Sequence, residues 1–163
     1  MTHETTFDVP ADRQEVIITR LFRASAQRVF AAHTDAELIP RWWGPRYLTT
    51  TVDVLEATPG GQWRFVQTAP DGDVHAFHGY FHLVVSARRL VSTFEYEGTP
   101  GHVLLNDLRL DEESGQTRLV QKSIYLSVAD RDAMVQGGMR DGLEQSMERL
   151  DELFELAHEH PGA

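Results

Sequence analysis

Few residues in this chain have the type and spacing to do chemistry. Three histidines cluster in His75-Ala76-Phe77-His78-Gly79-Tyr80-Phe81-His82. On a helix, His78 and His82 could share a metal ion. The segment alternates like a strand, and residues four apart in a strand lie about 13 Å apart. That is too far for one zinc ion. His75 falls on the opposite face from both. The expectation is therefore no metal, with the three histidines exposed along a strand. The acid pair Glu112-Glu113 falls in a hairpin loop and reads as solvated. There is no Gly-x-Ser-x-Gly, no phosphate-binding glycine loop and no dinucleotide fingerprint. No catalytic motif is recognisable, and no cofactor is expected.

Two other groups of residues point to binding. In Pro40-Arg41-Trp42-Trp43-Gly44-Pro45, two of the three tryptophans stand side by side among backbone-bending residues. Their indoles either close a core or stand at the mouth of a ligand cavity. The last hairpin supplies polar groups. If Asp111 and Gln116 close the loop, the pairs run Leu110–Thr117, Leu108–Leu119, Asn106–Gln121, Leu104–Ser123 and His102–Tyr125. Leu104, Leu108 and Leu110 mark the inward face by alternation. Asn106, Gln121, Ser123 and Tyr125 then point inward as well. Buried polar groups need partners. Either Asn106 and Gln121 bond each other, or they face a ligand or cavity water.

The elements that must position these residues follow from pattern. Residues 1–12 read as a flexible tail and 13–160 as one domain. Gln14–Arg23 reads as a strand rich in β-branched residues. Ser25 can cap a short helix from Ala26 to about His33, and Asp35 a second one that Pro40 and Gly44 end. Six strands follow, near Thr49–Ala57, Gln62–Gln67, Val74–Val85, Leu90–Tyr96, His102–Leu110 and Thr117–Leu126. Their turns are Pro59-Gly60-Gly61, Pro70-Asp71-Gly72, Gly98-Thr99-Pro100-Gly101 and Ser114-Gly115. Such short connections require a mostly antiparallel sheet. In Val74–Val85, Phe77, Phe81 and Leu83 share the inward side. A long helix from about Asp130 to Glu159 closes the chain, with Ser127 at its cap. Its apolar stripe includes Val135, Met139, Leu143, Met147, Leu150 and Phe154. Gly138 and Gly142 lie in or near that stripe, where glycine costs about 1 kcal/mol relative to alanine. Close approach to the sheet or room for a ligand would offset this. The fold class is α+β, a helix-grip: a curved antiparallel sheet of about seven strands around the long helix, with two short helices after the first strand.

Composition narrows the function further. Hydrophobic residues make up 41% of 163, enough for one core. The net charge of −10 disfavours nucleic acid and anionic membranes. There is no cysteine, no long apolar run and no signal-peptide pattern, so a cytoplasmic protein is expected.

Four motifs in order then resemble a known family. They are Trp42-Trp43-Gly44-Pro45; Pro59-Gly60-Gly61-Gln62-Trp63-Arg64-Phe65; Pro70-Asp71-Gly72; and the run from Gly138 to Leu150. Together, over about Glu15 to Phe154, they are similar to the activator of heat shock protein 90 ATPase homologue family. That family belongs to the START-like, birch-pollen-allergen-like superfamily. Where it often has tryptophan, this chain has Leu143. The resemblance implies a helix-grip fold with a hydrophobic cavity between sheet and helix. Its members include lipid carriers, polyketide cyclases and aromatases. The family name comes from a co-chaperone with a further N-terminal domain, for which 163 residues leave no room.

The leading expectation is a small-molecule-binding protein that holds an apolar or aromatic ligand. Trp42, Trp43, Trp63, Phe65, Phe77, Phe94, Met139 and Gly142 would line the cavity, and Asn106, Gln121, Ser123 and Tyr125 its polar part. Two alternatives stand beside it. One is a cavity-based cyclase, aromatase or hydrolase using Tyr125 or His102 as acid or base. The other is a chaperone-interacting domain. A homodimer is left open.

Overall fold

The computed structural model describes residues 4–159. Eight strands form one antiparallel sheet: β1 (Thr6–Asp8), β2 (Glu15–Phe22), β3 (Thr49–Leu55), β4 (Gln62–Thr68), β5 (Val74–Val85), β6 (Arg89–Tyr96), β7 (Leu104–Glu113) and β8 (Gln116–Ile124). Their order across the sheet is β1-β2-β8-β7-β6-β5-β4-β3. Between β2 and β3 come the helix α1 (Ala26–Thr34) and a single 3-10 turn, Ile39–Arg41. The Ser25 hydroxyl caps α1 by accepting from the Arg28 amide at 3.3 Å. The expected second short helix is thus only that turn, because Pro40 and Gly44 leave it no length.

Three expectations need correction. Thr6–Asp8, within the presumed tail, pairs with Ile17–Thr19 as an eighth strand. Buried Arg131 holds the segment that follows, donating to the carbonyls of Pro10 (2.5 Å) and Arg13. Second, the β7–β8 hairpin is tighter than expected. Ser114 and Gly115 alone make the turn, with φ of 54° and 78°, the type I′ geometry that matches strand twist. Asn106 therefore stands opposite Ser123, and Leu108 opposite Gln121. The slip is by two residues, so each side chain keeps its expected face. Third, a bulge between Phe81 and Leu83 reverses the alternation of β5. Leu83 turns outward, 37% exposed, and Val84 packs into the core in its place.

The chain closes with α2 (Val128–Met134), a π-helical stretch (Val135–Met139) and α3 (Arg140–Glu159). Ser127 caps α2 through the Asp130 amide at 3.0 Å. The single long helix expected here is broken at Gly138, whose φ of 90° no right-handed helix allows. α3 lies on the inner face of the sheet. Its Met147, Leu150 and Phe154 join Phe22, Leu108, Leu110 and Leu119 in one buried cluster. The Phe154 ring meets Phe22 edge-on at 5.5 Å. Arg20 points into the same interior, only 2% exposed, and pairs with Asp151 of α3. Glu144 stands 3.6 Å away and Thr5 accepts at 2.7 Å.

The loop carrying the adjacent tryptophans is strapped to α3. The Gly44 amide donates to the Ser146 hydroxyl at 2.9 Å. Arg149 donates to the carbonyls of Gly44 (2.9 Å) and Pro40 (3.4 Å). Arg46 adds a two-pronged pair with Glu152, and its amide donates to Gln145 at 2.9 Å. Thr50 of β3 donates to the Trp43 carbonyl at 2.7 Å. Position 44 favours glycine because its φ is +94°; an added Cβ would also stand 1.9 Å from the Gln67 amide nitrogen, which would have to swing aside.

Two stability tests follow. Gly44→Ala puts an L-residue at positive φ, so it should cost about 1–2 kcal/mol and lower the melting temperature by several degrees. Unchanged melting would show that the strap does not constrain the loop. Asp151→Leu leaves the buried Arg20 charge with only the more distant Glu144 and should cost about 3 kcal/mol in urea unfolding. The double variant Arg20→Met/Asp151→Leu should recover most of that loss. A double variant as unstable as the single would mean that the pair contributes its own net stability.

Candidate functional site

Two adjacent tryptophans of identical chemistry end up in opposite roles. Trp42 is 4% exposed, and its indole nitrogen donates to the Ala32 carbonyl of α1 at 2.8 Å. The ring of His33 lies 4.8 Å away, and burial pushes that imidazole down to about 4. Trp42 is therefore a core pin, not an entrance residue. Trp43 turns the other way, onto the concave face of the sheet. It stays half-buried and meets Phe65 at 5.1 Å, Phe77 at 5.2 Å and Trp63 at 6.4 Å between ring centres.

These rings belong to one aromatic wall. The inward aromatic positions of β4 are Trp63 and Phe65; opposite them on β5 stand Gly79 and Phe77. Trp63 spans Gly79 and donates to the Thr93 carbonyl of β6 at 3.1 Å. A Cβ at Gly79 would stand 1.9 Å from that carbonyl oxygen and 2.6 Å from the indole nitrogen, so glycine is what lets the ring lie there. Phe94 continues the wall, 5.8 Å from Trp63 and 5.4 Å from Phe77. Tyr96 follows at 5.1 Å from Phe77. Trp43, Trp63, Phe65, Phe77 and Phe94, all named from the sequence, thus lie together. Tyr96 was not foreseen, although its alternation with Phe94 marks it as inward.

The expected polar residues lie farther along the same face. The Ser123 hydroxyl donates to the Asn106 side-chain oxygen at 2.6 Å. The expected alternative of a cross-strand Asn106–Gln121 bond fails, because the tighter turn places them on different rungs. Gln121 is half-buried beside Leu108 and Ile18. Tyr125 is 5% exposed and donates to the Met139 sulfur at 3.2 Å. Burial raises its phenol to about 12. Together with Val16, Ile18 and Leu104, Tyr125 forms a second buried cluster, flanked by Phe94, Met139 and Leu143. Phe94 touches both clusters and joins the two ends of the inner face.

Gly142 lies half-buried on α3, one turn before Ser146, whose hydroxyl donates to the Gly142 carbonyl at 3.0 Å. A Cβ built at Gly142 meets nothing within 4 Å. Of the two explanations open for this glycine, close approach to the sheet is the one the geometry removes.

The histidines are not simply exposed. His78 and His82 do lie away from the wall, but His78 sits half-buried, 3.0 Å from Glu97 and 3.3 Å from Glu95. Arg64 pairs with Glu97 at 2.8 Å and, with His78, holds that carboxyl down to about 2. His75 faces inward, and its Nδ1 lies 2.8 Å from the Tyr96 hydroxyl. Among the described residues, no three of His, Cys, Asp and Glu converge as metal ligands. His102, considered as an inward acid or base, is 60% exposed at its side chain and pairs with Asp130 at 3.0 Å. A polar dip lined by Leu21, Asp111, Glu113 and Arg118 lies on the convex side, away from the aromatic wall.

Other proteins share this arrangement of elements. A crystal structure of a protein from Rhodobacter sphaeroides is 28% identical and superposes with a TM-score of 0.87, over 94% of this chain and 99% of that one. A solution structure from Arthrobacter aurescens is 24% identical, with a TM-score of 0.86 over 97% of both chains. The AHSA1 protein from Silicibacter pomeroyi is 23% identical, with a TM-score of 0.72 over 90% of this chain and 99% of that one. No curated protein matches the sequence. Among the described residues, no helix is long and apolar enough to cross a membrane. The family model described as activator of Hsp90 ATPase homolog 1-like protein matches residues 23–155, a span that holds the whole aromatic wall, its strap and nearly all of α3: the chain belongs to that family.

Proposed function

We propose that this protein binds a small planar, largely apolar molecule in the cleft between the aromatic wall and α3. One observation carries the reading. Trp43, Phe77, Phe94 and Tyr96 all face inward, yet each remains half-buried in the finished fold. Their same-face neighbours Trp63, Phe65, Phe81 and Leu90 are at most 6% exposed. Apolar surface left open on a concave face, with a few placed polar groups beside it, is what ligand sites are made of. The unfilled space at Gly142 supports the same reading from the helix side. Asn106, Ser123 and Gln121 would supply polar contacts along the cleft. Met139, Trp63 and Phe65 would back its walls.

The residues weighed for catalysis do not favour an enzyme. Tyr125 donates its hydrogen bond to a thioether, and burial holds the phenol neutral. His102 lies on the surface. A chaperone contact rests on the family's name alone.

Two measurements test the binding reading. Trp43 reports on the cleft, so titration with 2-naphthol should quench or shift indole fluorescence. Gly142→Trp should fill the cleft, leave the melting temperature within a few degrees and abolish that response. A large loss of stability would instead show a packed core at Gly142, since overpacking costs about 1–3 kcal/mol. Separately, Asn106→Leu/Gln121→Leu should weaken 2-naphthol by about 1–3 kcal/mol and leave 2-methylnaphthalene unaffected or tighter. Equal affinity for both probes would remove these two amides from the site.

A further inference from the structure

At one end of the aromatic wall the inner face turns polar. Gln67, inward on β4, stands between Thr50 of β3 and His75 of β5 in cross-strand register. Its side chain is 4% exposed. Thr50 is already bonded to the Trp43 carbonyl, and His75 to Tyr96. The Gln67 carboxamide has no hydrogen-bond partner among the described residues. It is not sealed in, however. The fully enclosed unpaired side-chain atoms among the described residues are Glu15 Oε2 and Arg20 Nε only. Neither amide atom of Gln67 is therefore fully enclosed. With no protein partner, up to four hydrogen bonds of this largely buried amide are left for whatever occupies the space beside it, water or a ligand.

We propose that Gln67 is the recognition end of the cleft, and that the ligand carries a neutral planar amide or lactam. This rests on the aromatic-cleft reading and specifies its substrate class. A carboxamide offers a donor beside an acceptor in one plane. Another amide or lactam edge matches it with two parallel hydrogen bonds. A carboxylate cannot, because it has no donor for the glutamine oxygen. The neighbouring wall suits a flat ring attached to that edge: Phe65, Phe77 and Trp43 occupy the next rung. The His75–Tyr96 pair stands at the side of the same edge and can take a further hydrogen bond. The position of Gly44 belongs to the same design. With no side chain there, the Gln67 amide lies directly against the tryptophan loop.

The test compares 2-naphthamide with 2-isopropylnaphthalene, which has the same outline and no polar edge. Indole fluorescence gives affinities for the full chain and for Gln67→Met. The wild type should prefer the amide by about tenfold or more, the effect of one or two buried hydrogen bonds. Gln67→Met should erase that preference by weakening the amide alone. It should also melt at the same temperature or higher, since it removes an unpartnered polar group. Three results would overturn the inference while leaving the aromatic cleft intact: no amide preference in the wild type, a preference that survives in Gln67→Met, or a clear fall in melting temperature that reveals a structural bond. If neither probe binds the wild type, the cleft reading itself falls and this one with it.

Discussion

The hydrogen bond from the Gly44 amide to Ser146 is the contact on which the site depends. A sheet of this curvature buries one face well only where something large lies on it. Over Phe22, Leu108 and Leu119 that object is α3 itself. Over β3 to β6 it is the tryptophan loop, and the loop has no regular structure beyond one 3-10 turn to hold its shape. Its position is borrowed from α3 through Ser146, Arg149 and Arg46. Trp43 is placed on the wall by a helix it does not belong to.

That division of labour explains why the inner face is not uniform. Beneath α3 the side chains are mostly aliphatic or phenyl and well covered, with Arg20 paired to Asp151 among them. Beneath the loop they are aromatic and partly open, and the polar groups gather at the margins: Asn106 with Ser123 on one side, Gln67 with the His75–Tyr96 pair on the other. Glycines mark each place where the two regimes meet. Gly79 lets Trp63 lie against the sheet, Gly44 lets the loop approach Gln67, and a Cβ at Gly142 of α3 would meet nothing within 4 Å.

Much of this was legible before the structure. The limits of β5 agree residue for residue with the alternating run Val74–Val85, and the stripe of α3 faces the sheet as its spacing requires. Local pattern suffices where one face is buried and the other wet. It fails where the decision is tertiary. The β5 bulge, the two-residue hairpin turn and the break at Gly138 all depend on how strands and helix meet. Trp42 and Trp43 are chemically alike, and only the Ala32 carbonyl and the His33 ring decide which one is buried. Gln67 gave no signal, because an unpartnered amide can be recognised only once every possible partner has been located. Its inward parity beside Trp63 and Phe65 was the one available hint.

The strap also has a consequence for the order in which the molecule takes shape. Gly44 and Ser146 are 102 residues apart in the chain, and Arg20 and Asp151 are 131 apart. Hairpins β3–β4, β4–β5 and β5–β6 join near neighbours and close cheaply, whereas these contacts come last because of the loop-closure entropy they demand. During synthesis the aromatic wall leaves the ribosome well before the helix that anchors its cover. For that interval Phe77, Phe94 and Tyr96 form an open, adhesive face on a half-made sheet, the kind of intermediate from which aggregation starts. The same partly uncovered rings thus make the nascent chain vulnerable, and the strongly negative charge of the whole sequence opposes self-association during that exposure.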